Sequence, residues 1–181
     1  MGTQVQAVIN RQLDLSRVAR SGSAVVQEFH ARLPGYAVTP LHAMDDAASE
    51  LKIGRVFLKD ESNRFGLPAF KILGASWAVQ QTIATYPETR QVIAASAGNH
   101  GRAVARAAAR RSLACRIYVP TVASATRQAL IAGEGAEVVC IEGSYEDAVA
   151  AAQMASARPG VALIADTSEE EACESADWGV D

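Results

Sequence analysis

A lysine at the start of a predicted helix is the first residue suited to chemistry. Lys71 follows Pro68-Ala69-Phe70 at the end of a glycine-bearing turn that begins near residue 59. Beside Phe70 its amine can be partly removed from water, which lowers the pKa of a lysine and frees the nitrogen to form a Schiff base. An exposed lysine is the alternative, and the local sequence alone favours it, because most lysines lie in solvent.

A second glycine-bearing turn, at residues 96–101, follows the predicted strand at residues 92–95. Gly98 permits close backbone approach, Ser96 offers a hydroxyl, and a helix that starts near Asn99 presents free backbone donors to an anion. The Asn99 amide can also donate to a phenolate-like oxygen. A simple capped turn with a structural His100 explains the same residues equally well.

Several other chemistries find no support in the sequence. The glycine fingerprint of a dinucleotide site and the P-loop of a nucleoside triphosphate site are both absent. The three histidines and three cysteines are not spaced as metal ligands, so we expect no metal. The run at residues 94–98 comes close to the nucleophile elbow of a hydrolase, but that fold places its histidine last in the chain, and no histidine follows His100.

Short β-branched runs alternate with longer alanine-rich segments from about residue 55 onward. This alternation predicts an α/β fold, a parallel sheet with helices on both faces. Ser144, with Asp147 three residues later, is typical of a capping box. The predicted strands are residues 55–59, 92–95, 115–119, 137–141 and 161–165. The predicted helices are residues 24–32, 71–86, 99–111, 123–132 and 145–157, with an extended, turn-rich entry at residues 33–41.

Composition limits the partners that we expect. The chain of 181 residues is 49% hydrophobic and 20% charged, which predicts a globular protein. Its formal net charge of -3 gives no reason to expect nucleic acid or a membrane surface as a partner. No apolar run approaches the roughly 18 residues of a spanning helix, and the N-terminus has no apolar signal core. We therefore expect a cytoplasmic location.

Taken together and in this order, the two turns resemble a known superfamily. The matching runs are Gly35-Tyr36, Thr39-Pro40-Leu41, Lys59-Asp60-Glu61-Ser62, Arg64-Phe65-Gly66-Leu67, Phe70-Lys71 and Gly98-Asn99-His100-Gly101-Arg102. They are similar to the fold-type II enzymes that use pyridoxal 5'-phosphate (PLP), a superfamily with the fold of tryptophan synthase β. Within it they most resemble the diaminopropionate ammonia-lyases, over residues 29–167. The run at residues 64–67 favours this group over the threonine and serine dehydratases.

The resemblance implies a reaction and a set of site residues. The reaction is the α,β-elimination of 2,3-diaminopropionate, a small amino acid, to pyruvate and ammonia, with PLP as electron sink. Lys71 is implied to be both the Schiff-base residue and the proton carrier, and Asp166 to be an acidic catalytic residue. A strand-end aspartate that caps a turn explains Asp166 equally well. The residues implied to bind the cofactor are Phe70, Lys71, Ser96, Gly98 and Asn99.

One departure from the ammonia-lyase pattern keeps a second enzyme class open. Ala97 stands where aspartate is common in these lyases, and an alanine cannot accept a proton from the D isomer of the substrate. The run from Ser96 to His100 is also similar to the threonine and serine dehydratases, which are therefore the alternative.

A second departure begins near Ser168, where an acidic segment replaces the family's continuation. We expect residues 1–168 to be a partial PLP-dependent lyase domain and residues 169–181 to be a divergent tail, with catalysis weak or absent in this chain alone. Faces that the remaining part would cover should then be exposed, which favours aggregation or association, such as a homodimer. A non-catalytic α/β module is the other class of protein that fits.

Overall fold

The structure, a computed structural model, describes residues 24–166. Its helices are α1 (Ala24–Ala31), α2 (Asp45–Leu51), α3 (Lys71–Thr85), α4 (Asn99–Ala109), α5 (Ala125–Ala132) and α6 (Tyr145–Ser156). Its strands are β1 (Leu41–Ala43), β2 (Phe57–Lys59), β3 (Gln91–Ala95), β4 (Ala114–Pro120), β5 (Glu137–Ile141) and β6 (Val161–Leu163). In this part of the chain no helix is both long and apolar enough to cross a membrane.

Four strands form one parallel sheet in the order β5-β4-β3-β6. Chain order and sheet order agree from β3 to β5, and β6 then returns to the opposite side of β3. Ile93 of β3 consequently lies between Arg116 of β4 and Leu163 of β6. The predicted strand at residues 137–141 coincides with β5, and the other three strands differ from their predicted bounds by one or two residues at an end.

Helices cover both faces of this sheet, as the sequence predicts. Alternate residues of β3 point to opposite faces, so Val92 and Ala94 pack in the cluster that includes α3 and α4, whereas Ile93 and Ala95 pack against α6. A strand that is buried on both sides has no polar alternation, which explains the apolar run in β3. The Ser144–Asp147 capping box is confirmed at the start of α6.

The prediction that residues 55–59 form a strand of the parallel sheet is wrong. Only Phe57–Lys59 is extended, and it pairs antiparallel with β1, so that Leu41 lies opposite Lys59 in a separate two-stranded sheet. Strand β1 and helix α2 were not predicted. All residues of β1 and β2 are exposed, so neither strand has the buried alternate face that makes a strand visible in a sequence.

A buried arginine fixes the segment that enters β1. Arg64 is 6% exposed, and its guanidinium donates to both Glu61 carboxylate oxygens at 2.6 and 2.8 Å, to Thr39 Oγ1 at 2.8 Å and to the Ala37 carbonyl at 2.7 Å. The hydrogen bond from Arg64 lowers the pKa of Glu61, against the opposing effect of burial. We call these four residues the Arg64 cluster.

Candidate active site

The order of the strands creates a crevice beside β3. The chain adds β4 and then β5 on one side of β3, and it later places β6 on the other side of β3. The direction in which strands are added to the sheet therefore reverses between β3 and β6. In open parallel sheets this reversal separates the two loops that follow the neighbouring strands and leaves a ligand site at their carboxyl ends. Here the two loops are residues 96–98, which follow β3, and residues 164–166, which follow β6.

A tight turn sets the approach to Lys71. Arg64 and Leu67 exchange backbone hydrogen bonds of 2.8 and 3.0 Å, and the two residues between them both have positive φ, 54° at Phe65 and 78° at Gly66. Positive φ at both central positions is the pattern of a type I′ turn, and glycine fits it without strain. Arg106 of α4 donates to the Phe65 carbonyl at 2.9 Å and holds the turn against that helix.

Lys71 is the first residue of α3, and its amine reaches the crevice. Its Nζ donates to Asp166 Oδ1, so two residues that are 95 positions apart form an ion pair. The lysine side chain is 38% exposed and the aspartate side chain 29% exposed. Both side chains are therefore accessible to a small molecule, and the predicted lysine and carboxylate lie together.

His100 is a third member of this group, and its local sequence is equally consistent with a structural histidine. Its Nε2 donates to the Ile164 carbonyl at 2.9 Å, and its Nδ1 lies 3.5 Å from Asp166 Oδ1. Burial lowers the pKa of His100, and the contacts with Ile164 and Asp166 offset this only in part. Because the neutral ring carries its proton on Nε2, the hydrogen that Asp166 Oδ1 accepts comes from Lys71. We call Lys71, His100 and Asp166 the Lys71 cluster.

The two glycines of the second turn, Gly98 and Gly101, have different structural roles. A Cβ on Gly101 would lie 3.0 Å from the Ser96 carbonyl oxygen and 3.1 Å from Ile117 Cγ2, so this glycine lets α4 pack closely on the sheet. A Cβ on Gly98 would meet no atom within 4 Å. Ser96 is buried, and its Oγ accepts from the Gly98 backbone N–H at 3.2 Å. Gly98 thus leaves an open surface next to Asn99, which is exposed at the start of α4.

The predicted site residues fall into two groups around the crevice. Lys71 and Asp166 form the ion pair, and Ser96 and Gly98 lie in the loop after β3, next to Asn99 at the start of α4. Phe70 precedes α3 with 59% of its surface exposed. Their roles toward a cofactor stay predictions. Among residues 24–166, no group of three or more histidine, cysteine, aspartate or glutamate side chains is placed to hold a metal ion. The domain boundary predicted at residue 168 and the predicted tail lie outside the described residues.

Comparison with known proteins gives a consistent result. The family model described as pyridoxal-phosphate dependent enzyme matches residues 32–177. The diaminopropionate ammonia-lyase of Salmonella typhimurium is 38% identical over 163 residues, which are 78% of this chain and 40% of that protein. The biosynthetic L-threonine dehydratase of Escherichia coli is 32% identical over 127 residues, 70% of this chain and 24% of that protein. The chain therefore spans well under half the length of these curated relatives.

Solved structures are similar as well. The apo form of the Escherichia coli diaminopropionate ammonia-lyase superposes with a TM-score of 0.79 at 32% identity, over 86% of this chain and 46% of that one. A serine racemase from maize has a TM-score of 0.68 at 24% identity, over 85% of this chain and 45% of that one, a likeness in fold alone. The described part of the chain thus has the architecture of a fold-type II enzyme.

Proposed function

We propose, since the chain belongs to the family of pyridoxal-phosphate dependent enzymes, that it contributes the lysine-bearing side of an ammonia-lyase active site. The observation that carries this proposal is the Lys71–Asp166 ion pair at the reversal point of the sheet, beside the open surface at Gly98. The substrate that we propose is 2,3-diaminopropionate, which would be converted to pyruvate and ammonia. A cytoplasmic location and a homodimer stay predictions.

The residues present fit PLP. A solvent-accessible primary amine at a crevice suits covalent attachment of an aldehyde, and a glycine with free space above it suits a flat ring. Lys71 would hold the cofactor covalently, with Phe70 next to it, and Ser96, Gly98 and Asn99 would contact the cofactor from the second turn. When bound, PLP supplies an electron sink that makes the α-proton of an amino acid easier to remove.

The chain's own residues would then move and hold protons. The Lys71 amine, when it is not attached to the cofactor, is the base that takes the proton from the substrate α-carbon. Asp166 holds that amine in place and stabilises it once it carries the proton. His100, whose ring is fixed by the Ile164 carbonyl, limits by contact where the Asp166 carboxylate can lie, but its unprotonated Nδ1 donates no hydrogen bond to it.

Trapping with borohydride tests the assignment of Lys71. The chain contains three lysines, Lys52, Lys59 and Lys71, so the sites of modification are few. We expect PLP followed by borohydride to leave a phosphopyridoxyl group on Lys71, identified by peptide mass mapping. A Lys71→Met variant should lose this adduct. A Lys52→Asn variant is the control, because Lys52 has a φ of 55°, which asparagine tolerates, and it should keep the adduct.

Two labelling patterns would contradict the assignment of Lys71 as the cofactor lysine. Labelling that is spread evenly over Lys52, Lys59 and the N-terminus, or that is unchanged in Lys71→Met, would remove the basis of the cofactor assignment. That result would favour a non-catalytic α/β module.

A dehydratase is the second candidate, favoured by the matching run from Ser96 to His100 and by the 32% identity with the threonine dehydratase. Substrate choice separates the two. Pyruvate should form from diaminopropionate if the first proposal is right, whereas 2-oxobutyrate from threonine alone would favour a dehydratase. The assay requires a form of the protein that completes the site.

A further inference from the structure

One carboxylate oxygen of Asp166 lies between a cation and a neutral ring nitrogen. Asp166 Oδ1 accepts a hydrogen bond from Lys71 Nζ, and the same oxygen lies 3.5 Å from His100 Nδ1. Because the neutral ring carries its hydrogen on Nε2, His100 reaches Asp166 only by contact. This oxygen therefore lies next to a nitrogen that becomes a donor as soon as it binds a proton.

The ring of His100 already has the orientation that such a hydrogen bond requires. His100 is 7% exposed at the start of α4, and its Nε2 donates to the Ile164 carbonyl at 2.9 Å. Ile164 and Asp166 lie two residues apart in the loop that follows β6. The carbonyl at Nε2 and the carboxylate beside Nδ1 thus belong to one short segment. A proton on Nδ1 has an acceptor at once, and the ring does not have to turn.

The charges beside His100 oppose each other. Burial has the largest effect and lowers the pKa of His100, and the hydrogen bond to the Ile164 carbonyl raises it. The charge of Asp166 raises that pKa, whereas the charge of Lys71 lowers it. The lysine ammonium thus acts on His100 twice, since it repels a second positive charge and also occupies the oxygen that would accept from Nδ1.

Other ionisable groups on the elements around His100 do not share this position. Helix α3, which packs on α4, has Lys71 as its only charged residue, and β3 has none. Arg102 and Arg106 of α4 itself pair with Glu134. The remaining ionisable residues on the elements packed against α4 are Cys115, Arg116 and Tyr118 of β4 and Arg127 of α5. The lysine and the aspartate of the Lys71 cluster are the charges that act on the ring.

We propose that His100 is a second proton site of the Lys71 cluster. When the Lys71 cation is withdrawn from Asp166, His100 binds a proton from solvent at Nδ1 and donates that hydrogen to Asp166 Oδ1. The carboxylate then keeps a cationic partner and stays ionised, so His100 is a positioning residue for Asp166. Its use in the reaction rests on the proposed function, in which the Lys71 amine moves to the cofactor and the substrate. The exchange of partners itself requires no cofactor.

Nuclear magnetic resonance of the full chain, without PLP, tests the proposal. The chain contains three histidines, so the His100 signals are assigned by their loss in His100→Gln. We expect Lys71→Met to raise the pKa of His100, because it removes the repelling cation and frees Asp166 Oδ1. Imidazole nitrogen spectra should then show a protonated Nδ1 at a pH where the unmodified chain shows an unprotonated one. Lys71→Arg is the matched control, since it keeps the cation, and its His100 should titrate as in the unmodified chain.

Removal of the carboxylate separates the new hydrogen bond from a simple loss of repulsion. In an Asp166→Asn background, Lys71→Met should raise the pKa of His100 less, because no carboxylate remains to accept from Nδ1. Asp166→Asn alone should lower the pKa of His100 below that of the unmodified chain, a test that does not require Lys71→Met to fold.

Three results would overturn the proposal. They are an unchanged His100 pKa in Lys71→Met, an equal rise in Lys71→Arg, and a rise in the Asp166→Asn background as large as that beside an intact Asp166. Because no PLP is added, each of these results is separate from a failure of PLP and borohydride to label Lys71.

Discussion

The Arg64 cluster and the Lys71 cluster both join distant segments through a cation and a carboxylate, but they differ in how completely their groups are satisfied. All three nitrogens of the buried Arg64 guanidinium donate, and the acceptors come from Glu61, Thr39 and Ala37. Lys71 is 38% exposed, and its acceptor Asp166 is also faced by His100. The first cluster is complete without a ligand, whereas the second leaves an accessible amine. This difference separates an ion pair that holds the fold from one that is available for chemistry.

Removal of the arginine tests the structural half of this comparison. Arg64→Met leaves the Glu61 carboxylate without its cation, and among the described residues only the Thr39 hydroxyl still donates to it. We expect a loss of about 3 kcal/mol in the free energy of unfolding, near the lower end for breaking a buried pair because Glu61 is partly solvated. Urea unfolding followed by circular dichroism measures it. Arg32→Met is the control, since the Arg32–Glu28 pair is exposed and contributes little. Equal stability of the two variants would contradict the assigned role of the Arg64 cluster.

The pH dependence of stability tests the other cluster. The pKa of His100 is lowered in the folded state, so between that value and the ordinary 6.5 the unfolded chain binds more protons. Stability is therefore greatest above pH 6.5 and falls as the pH decreases toward the folded-state pKa, by at most about 1.4 kcal/mol per pH unit from this group. We expect His100→Gln to reduce the slope of the curve in that window, as measured by urea unfolding at a series of pH values. Burial also lowers the pKa of His30, so this histidine should keep part of the slope.

A residue without a titratable group provides the comparison for this experiment. Val122 is 84% exposed, so Val122→Gln should keep the pH dependence of the unmodified chain. If His100→Gln has the same slope below pH 6.5 as the unmodified chain, the neutral, buried state of His100 is wrong.

Replacement of the lysine should have the smallest effect on stability. Lys71→Met breaks a partly exposed ion pair, and such pairs contribute less than about 1 kcal/mol. We expect a folded protein of nearly unchanged midpoint in urea that has lost the phosphopyridoxyl adduct. A loss of stability as large as that of Arg64→Met would mean that the two clusters contribute equally to the free energy of unfolding.

Much of the parallel sheet could be predicted because its signals are local. The apolar run of β3, the Ser144–Asp147 box and the start of α6 at Tyr145 all lie within short windows of sequence. The pairing of β1 with β2 could not be predicted, since it depends on partners 14 to 18 residues apart in two exposed three-residue strands. Strand partners are set by tertiary packing, and the sequence pattern reports only burial.

The residues of the candidate site also differ in whether local sequence could predict them. Lys71 and the loop from Ser96 to Asn99 are contiguous motifs, so their types and spacing indicated chemistry, and the resemblance indicated which chemistry. The contribution of His100 depends on the position of β6 beside β3, which brings Ile164 and Asp166 under the first turn of α4. Sheet order is a property of the whole fold, so no local pattern could predict that contact.

The placement of β6 also has a consequence for the order of folding. Strands β3, β4 and β5 are neighbours in both chain and sheet, but β6 must cross back to pair with β3, with Leu163 opposite Ile93. Closing so long a loop costs more chain entropy than the local pairings do, and the three-residue strand offers few hydrogen bonds in return. We therefore expect β6 to dock late, so that a refolding chain acquires its helices and central strands before Lys71 meets Asp166.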